Sequence, residues 1–195
     1  MAIIQVRQEG IKDLNLNRFR AVLDKGGNVA KGCRFIVTIR PTYPIRTFTG
    51  DLDYLCEAAD FPGRGFRVVQ SRQYGPSQMT PINTEFQPLN MTFVCRADSS
   101  ERRFFDDWLD TINPTNNFNF EYPEKYYAVI NIYQYAEWGS VMSRSPYVPQ
   151  VTYNWRLHRA WPTLIAEQPV NWADQEYLRL QVSFAYKYWD RPNLL

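Results

Sequence analysis

A chain of 195 residues, 45% of them apolar, is long enough for one packed domain carrying an appended arm. Its net charge of +2 gives no bulk electrostatic signal for a nucleic-acid or membrane-surface partner. No stretch approaches the ~18 consecutive apolar residues of a membrane span, and no apolar run follows a basic start as in a secretory leader.

Aromatic residues reach 16%, with 13 Tyr and 12 Phe. Such rings suit a pleated, half-buried surface, so the composition leans toward β structure. The charge is uneven: residues 1–46 hold nine Lys/Arg against three Asp/Glu, and the remainder holds thirteen against seventeen. The expected division is a basic arm, 1–32, on a mildly acidic body, 33–195. Cys33, Cys56 and Cys95 lack C-x-x-C spacing, and Cys33 and Cys95 share the apolar phase of their strands. Buried thiols in a protein made in a reducing cytoplasm are expected.

In chain order, residues 1–32 are polar, with Ile11, Leu14, Leu16, Phe19, Val22 and Leu23 interspersed. The spacing from Phe19 to Leu23 allows one or two helical turns before Gly26-Gly27 breaks the pattern. Cys33, Phe35, Val37 and Ile39 alternate as a first body strand, ended by Pro41 and Pro44. Leu52 to Ala59 reads as a second strand, stopped by Phe61-Pro62-Gly63. Residues 66–74 and 79–86, joined around Gly75-Pro76, read as a long hairpin. Its faces are poorly separated, since Val68 shares a side with Gln70 and Arg72, and Val69 with Arg67 and Ser71. A hairpin polar on both faces is a flap, or a piece completed by another subunit.

Leu89, Met91, Phe93 and Cys95 then point inward from a further strand. The period changes at Asp98, where D-S-S-E places Asp98 and Glu101 as a capping box. Phe104, Phe105, Trp108, Leu109 and Ile112 follow on one helical face, and Asn113-Pro114 stops the helix. A polar loop, 115–125, leads to a strand from Tyr127 to Tyr135, and a loop from Gly139 to Pro149 follows. Val151, Tyr153, Trp155 and Leu157 alternate inward, W-P-T (161–163) reads as a turn, and Leu178 to Tyr188 forms a last strand. About eight strands and one helix without strand–helix alternation predict a mainly β antiparallel sandwich or open barrel. Trp108, Trp155, Trp161 and Phe184 are expected in its core, and Trp161 and Trp172 flank a turn of the kind that large rings plug.

Chemistry finds no foothold. The single histidine, His158, lies in polar phase without a nucleophile or carboxylate placed to partner it. Asp106, Asp107 and Asp110 read as a solvated helix face, lacking the ligand spacing of a calcium loop. Neither a phosphate loop, a nucleophile elbow nor a zinc pattern occurs, so no catalytic, metal or cofactor residue is assigned. Six tryptophans on a β scaffold keep one other class open, an aromatic platform that stacks on sugars or single-stranded bases.

The order of signals is similar to that of the tail tube proteins of contractile-tailed, myovirus-type bacteriophages. The resemblance is carried by Phe35-x-Val37-x-Ile39, Cys56-x-Ala58 with Pro62-Gly63, F-D-D-W at 105–108, Ile132-Tyr133-Gln134-Tyr135-Ala136, W-P-T at 161–163, Trp172 and Tyr188-Trp189-Asp190. It implies a structural virion protein and no enzyme: a small β-sandwich with a flanking helix. Six copies would form a ring in which hairpins merge into one β-barrel, and rings would stack into a tube.

Partners implied are further copies of itself, the tail sheath protein, baseplate and tail-terminator proteins, and genomic DNA passing through the lumen without sequence-specific binding. No cofactor and no membrane are implied. Arg67, Val69, Ser71, Arg72, Gln73, Asn83 and Glu85 are the expected inner-barrel hairpin residues; Phe61, Pro62, Gly63, Arg18 and Arg20 are expected at contacts between rings. Assembly in the host bacterial cytoplasm and residence in the virion tail follow. A baseplate tube initiator of the same fold, or the inner tube of a related injection system, fits the same resemblance.

Overall fold

The computed structural model describes residues 16–25, 29–46, 50–72, 74–137, 150–173 and 176–192. The chain divides into two compact units, residues 1–33 with 136–150, and residues 34–135 with 151–195. In the first unit, α1 (Leu16–Lys25) carries Leu16, Phe19 and Leu23 at helical spacing. Lys31 pairs with Glu137 at 2.5 Å. Cys33 is exposed, against expectation, because the first strand begins only at Phe35 and no sheet covers the thiol. The expected loop from Gly139 to Pro149 and the Gly26-Gly27 break lie outside the described residues.

The second unit holds the sheet. Its strands are β1 (Phe35–Pro41), β2 (Cys56–Ala59), β3 (Gly65–Ser71), β4 (Gln78–Glu85), β5 (Leu89–Val94), β6 (Ala128–Tyr135), β7 (Val151–Ile165), β8 (Arg179–Ala185) and β9 (Tyr188–Asp190). Two helices accompany them, α2 (Ser100–Ile112) and the single turn α3 (Pro123–Tyr126). Seven strands run in the order β1-β6-β7-β8-β5-β2, with β9 also on β7, and every pairing is antiparallel. The fold is mainly β, as the composition and alternation predict.

β7 links the two halves of this sheet. Its first ten residues pair with β6, and Trp161 to Ile165 pair with β8. Arg159, one residue before the end of the first part, has φ 54, a left-handed conformation that bends the strand. The expected W-P-T turn is therefore absent, and Trp161–Thr163 continue the strand. Pro162, which has no N–H to donate, sits at a register shift that absorbs the missing bond.

Alternation places Leu89, Met91 and Phe93 of β5 and Leu180, Val182 and Phe184 of β8 inward, where all are buried. They join Val37, Ile39, Ile130, Ile132 and Leu157 in one cluster, closed by Phe104, Phe105, Trp108 and Ile112 of α2. Trp108 also donates from Nε1 to the Tyr126 carbonyl at 2.8 Å, tying α2 to α3.

Three boundaries differ from expectation. Residues 50–54 form a turn of 3-10 helix instead of opening the second strand, because Leu52 plugs the core and its carbonyl accepts the Leu55 N–H. The last strand breaks after Ala185, and Lys187 donates its N–H to the His158 carbonyl before pairing resumes in β9. The capping box at α2 is half formed: Asp98 Oδ1 accepts the Ser100 N–H at 3.4 Å as expected, but the N-cap is Ser99 with φ 52 and Glu101 turns instead to Arg96. Its carboxylate, 1% exposed, accepts the Arg96 backbone N–H at 2.9 Å and Nε at 2.6 Å. Burial pushes this carboxyl up, but the backbone and guanidinium donors outweigh it and hold the group below its ordinary value.

Candidate assembly surface

The hairpin β3–β4 is a separate two-stranded sheet, and of its residues only Thr84 is even half-buried. Phe66 is 56% exposed and Met79 68%. An isolated two-stranded hairpin is marginal in water, and each strand presents an unpaired edge.

The pairing explains its composition. Between Arg67 and Val68 the register shifts, leaving Ile82 as an extra residue on β4. Cross-strand partners share a face. One face therefore carries Gly65, Arg67, Val69 and Ser71 with Glu85, Asn83, Thr80 and Gln78; the other carries Phe66, Val68 and Gln70 with Thr84, Pro81 and Met79. Without the shift, Pro81 and Met79 would fall among the polar residues. The bulge turns a mixed sequence into a ribbon with one polar and one largely apolar face.

The expected inner-barrel residues Arg67, Val69, Ser71, Asn83 and Glu85 all lie on the polar face. Arg72 lies just past β3, with Nε donating to the Gly75 carbonyl at 3.1 Å. Gln73 lies outside the described residues. The apolar partners Phe66, Val68, Pro81 and Met79 were not singled out from sequence, because only the bulge brings them together.

Both feet of the hairpin are fixed to the sheet. Phe61 stacks on Trp155 with centroids 4.3 Å apart, and Trp189 donates from Nε1 to the Gly63 carbonyl at 3.2 Å. On the returning side Phe86 meets Tyr186 edge-on at 6.0 Å. Of the residues expected between rings, Phe61 and Gly63 thus make contacts within the subunit while staying exposed, and Pro62 is buried. Arg20 is exposed on α1, and the side chain of Arg18 lies outside the described residues.

Of the expected core residues, Trp108 and Phe184 are fully buried. Trp155 and Trp161 are only half-buried on the margin of the core: Trp155 lies against Phe61 and Tyr153, and Trp161 follows the bend at Arg159. Trp172 plugs nothing and is fully exposed. His158 does find a carboxylate: its Nε2 lies 3.1 Å from Asp190 Oδ1, and its ring stacks on Tyr188. Arg156 clamps the same carboxylate at 3.0 and 2.7 Å and, with His158, holds it below its ordinary value. This cluster secures the short strand β9. Burial pushes the Cys56 thiol up to about 12, so it stays protonated. Among the described residues no group of three His, Cys, Asp or Glu side chains converges on a metal position.

A mainly antiparallel domain thus presents a bulged, amphipathic hairpin on fixed feet, with backbone edges open to a further strand. The family profile of the phage tail tube proteins matches residues 32–191, and the chain belongs to that family. A search of the curated proteins found no match.

Among solved structures, a chain of the anti-feeding prophage baseplate, 6-fold symmetrised, is 16% identical with a TM-score of 0.60, covering 84% of this chain and 95% of that one. A chain of the sheath–tube complex of an extracellular contractile injection system in its extended state is 12% identical with a TM-score of 0.59, covering 84% and 90%. A chain of the cap that terminates the anti-feeding prophage tube is 15% identical with a TM-score of 0.59, again covering 84% and 90%. At these identities the likeness is one of fold.

Proposed function

We propose that this protein is a tail tube subunit that assembles as six-membered rings stacked into a tube, through which DNA passes during infection. The observation that carries the reading is the hairpin β3–β4, exposed on both faces yet sorted by its bulge into a polar and an apolar side. Pairing such ribbons edge to edge around a ring satisfies their open backbone edges and closes a barrel. The apolar face then packs outward against the subunits, and the polar face lines the channel.

A lumen for sliding DNA should offer few free cations, since Lys/Arg–phosphate contacts retard it. On the polar face Arg67 is accompanied by Glu85, and Arg72 is engaged by the Gly75 carbonyl. Ring closure is rotational, whereas ring-on-ring contact is head-to-tail and does not close, which yields a tube. Sheath, baseplate and terminator proteins are the partners of such a tube, assembled in the bacterial cytoplasm and carried in the virion tail. The basic arm, 1–32, would serve contacts beyond the subunit, with 33–195 as the tube-forming body.

Negative-stain microscopy of the purified protein, with mass photometry alongside, tests the reading. Rings of six copies or hollow tubes are expected. A dispersed monomer at high concentration would instead assign the chain to a baseplate initiator that needs a template. Such a monomer that also bound glycans would overturn the tube reading.

A further inference from the structure

A groove of about 760 Å³ runs along α2, bounded by the loop after it and by Trp161–Thr163 at the end of β7. Asp106, Asp107 and Asp110 line it, Asp106 pairing with Arg102 at 3.1 Å just outside. Leu109, Ile112 and Trp161 supply its apolar surface. Two rings stand over it with little cover: Phe118 is 70% exposed and Phe120 77%.

The loop holds these rings in place. Phe118 has φ 54 and donates its N–H to the Pro114 carbonyl at 2.9 Å. Thr115 donates its N–H to Asp110 Oδ1 at 3.0 Å, and Glu121 donates to the Ile112 carbonyl at 3.0 Å. Exposed aromatics on a backbone stitched to a helix are a presented surface rather than a loose loop.

A groove with an acidic rim and an aromatic wall excludes polyanions and anionic membranes and suits a basic, amphipathic helix. This chain contains one. α1 spans ten residues, carries Arg18, Arg20 and Lys25 against Asp24, and spaces Leu16, Phe19 and Leu23 for one apolar side. Its Val22 is exposed. α2, by contrast, holds four acidic residues against two basic ones. We infer that the groove receives α1 of a second copy of this chain.

The inference rests on the tube reading and deepens it. Helix and groove are different surfaces of the chain, so between stacked rings the contact is heterologous and propagates from copy to copy.

The test is intermolecular cross-linking in assembled material, with Cys33→Ser in every chain to remove the exposed native thiol. Chains carrying Val22→Cys are mixed with chains of different tag mass carrying Thr115→Cys, assembled, oxidised and run on a non-reducing gel. A heterodimer band is expected. Adding Arg20→Glu and Lys25→Glu to the first chain should cut its yield about fivefold, and adding Asp106→Lys and Asp107→Lys to the second should restore it.

Tubes visible by microscopy without the heterodimer overturn the groove assignment and leave the tube reading standing. Loss of yield without charge-swap recovery also overturns it. A cross-link formed only within single chains, when both cysteines are put into one chain, overturns the second copy as occupant. Absence of any assembly overturns both readings.

Discussion

At the residue scale the least replaceable polar side chain is Glu101. It is almost fully buried in the first turn of α2, yet it bonds outward to Arg96, whose guanidinium also approaches Asp51 at 3.4 Å and Ser100 Oγ at 2.7 Å. Glu101 thus joins the end of β5 to the start of the helix that closes the core. Replacing it by Gln keeps the volume but removes the charge-assisted bonds, at a cost of about 1–3 kcal/mol. Because the folded-state pKa is depressed, this stabilisation is present above the unfolded value of about 4.3 and is lost as pH falls through the lower folded value. Urea unfolding of native protein and Glu101→Gln at pH 7 and near pH 3 checks both points. The midpoints should differ at pH 7 and converge at the acid end. An equal gap at both pH values would show that the carboxylate charge is not what matters.

At the element scale the decisive feature is a single extra residue. Inserting one residue between Arg67 and Val68 gives Ile82 a partner and removes the register shift of the hairpin, so Val68, Gln70, Pro81 and Met79 move to the face of Arg67 and Asn83. The hairpin lies outside the buried cluster, so the thermal melt of the monomer should hardly move, by less than about 0.5 kcal/mol. Ring and tube formation, followed by sedimentation, should be lost. An insertion variant that still assembles would refute the role given to the sorted faces. The same residue shows where sequence reading stops. Period-two alternation at Leu89–Phe93 and Leu180–Phe184, and period 3.6 over Phe104–Ile112, are undisturbed, so those elements and their buried faces were legible. At Ile82, Arg159 and Pro162 the chain gains or turns one residue, and every later position changes face. A pattern averaged over a window cannot register that step. Hence the hairpin was legible as a piece without a core, whereas its amphipathic sorting, the bend in β7 and the half-burial of Trp155 and Trp161 were not.

At the scale of the whole molecule, stability and assembly reside in different parts of the chain. Every residue of the buried cluster, from Val37 to Phe184, belongs to the compact unit of residues 34–135 and 151–195. The basic helix α1 belongs to the other unit and leaves Arg20 and Val22 in solvent. Its ten residues are too few to hold a stable helix in isolation, where about 12–15 are needed even for favourable sequences. A helix of that kind, basic and amphipathic, persists best where another surface covers it. The groove beside α2, aromatic and acidic and formed wholly within the body, has the converse character. Removing residues 1–30 should therefore leave the melting temperature within about 2 °C of the intact chain, because no described residue of that stretch belongs to the buried cluster. The concentration at which rings stack should rise, because the propagating contact is gone. Differential scanning calorimetry paired with sedimentation velocity separates the two effects. A truncated chain that melts many degrees lower would place the arm inside the folding unit, and one that stacks as readily as the intact chain would remove the arm from assembly.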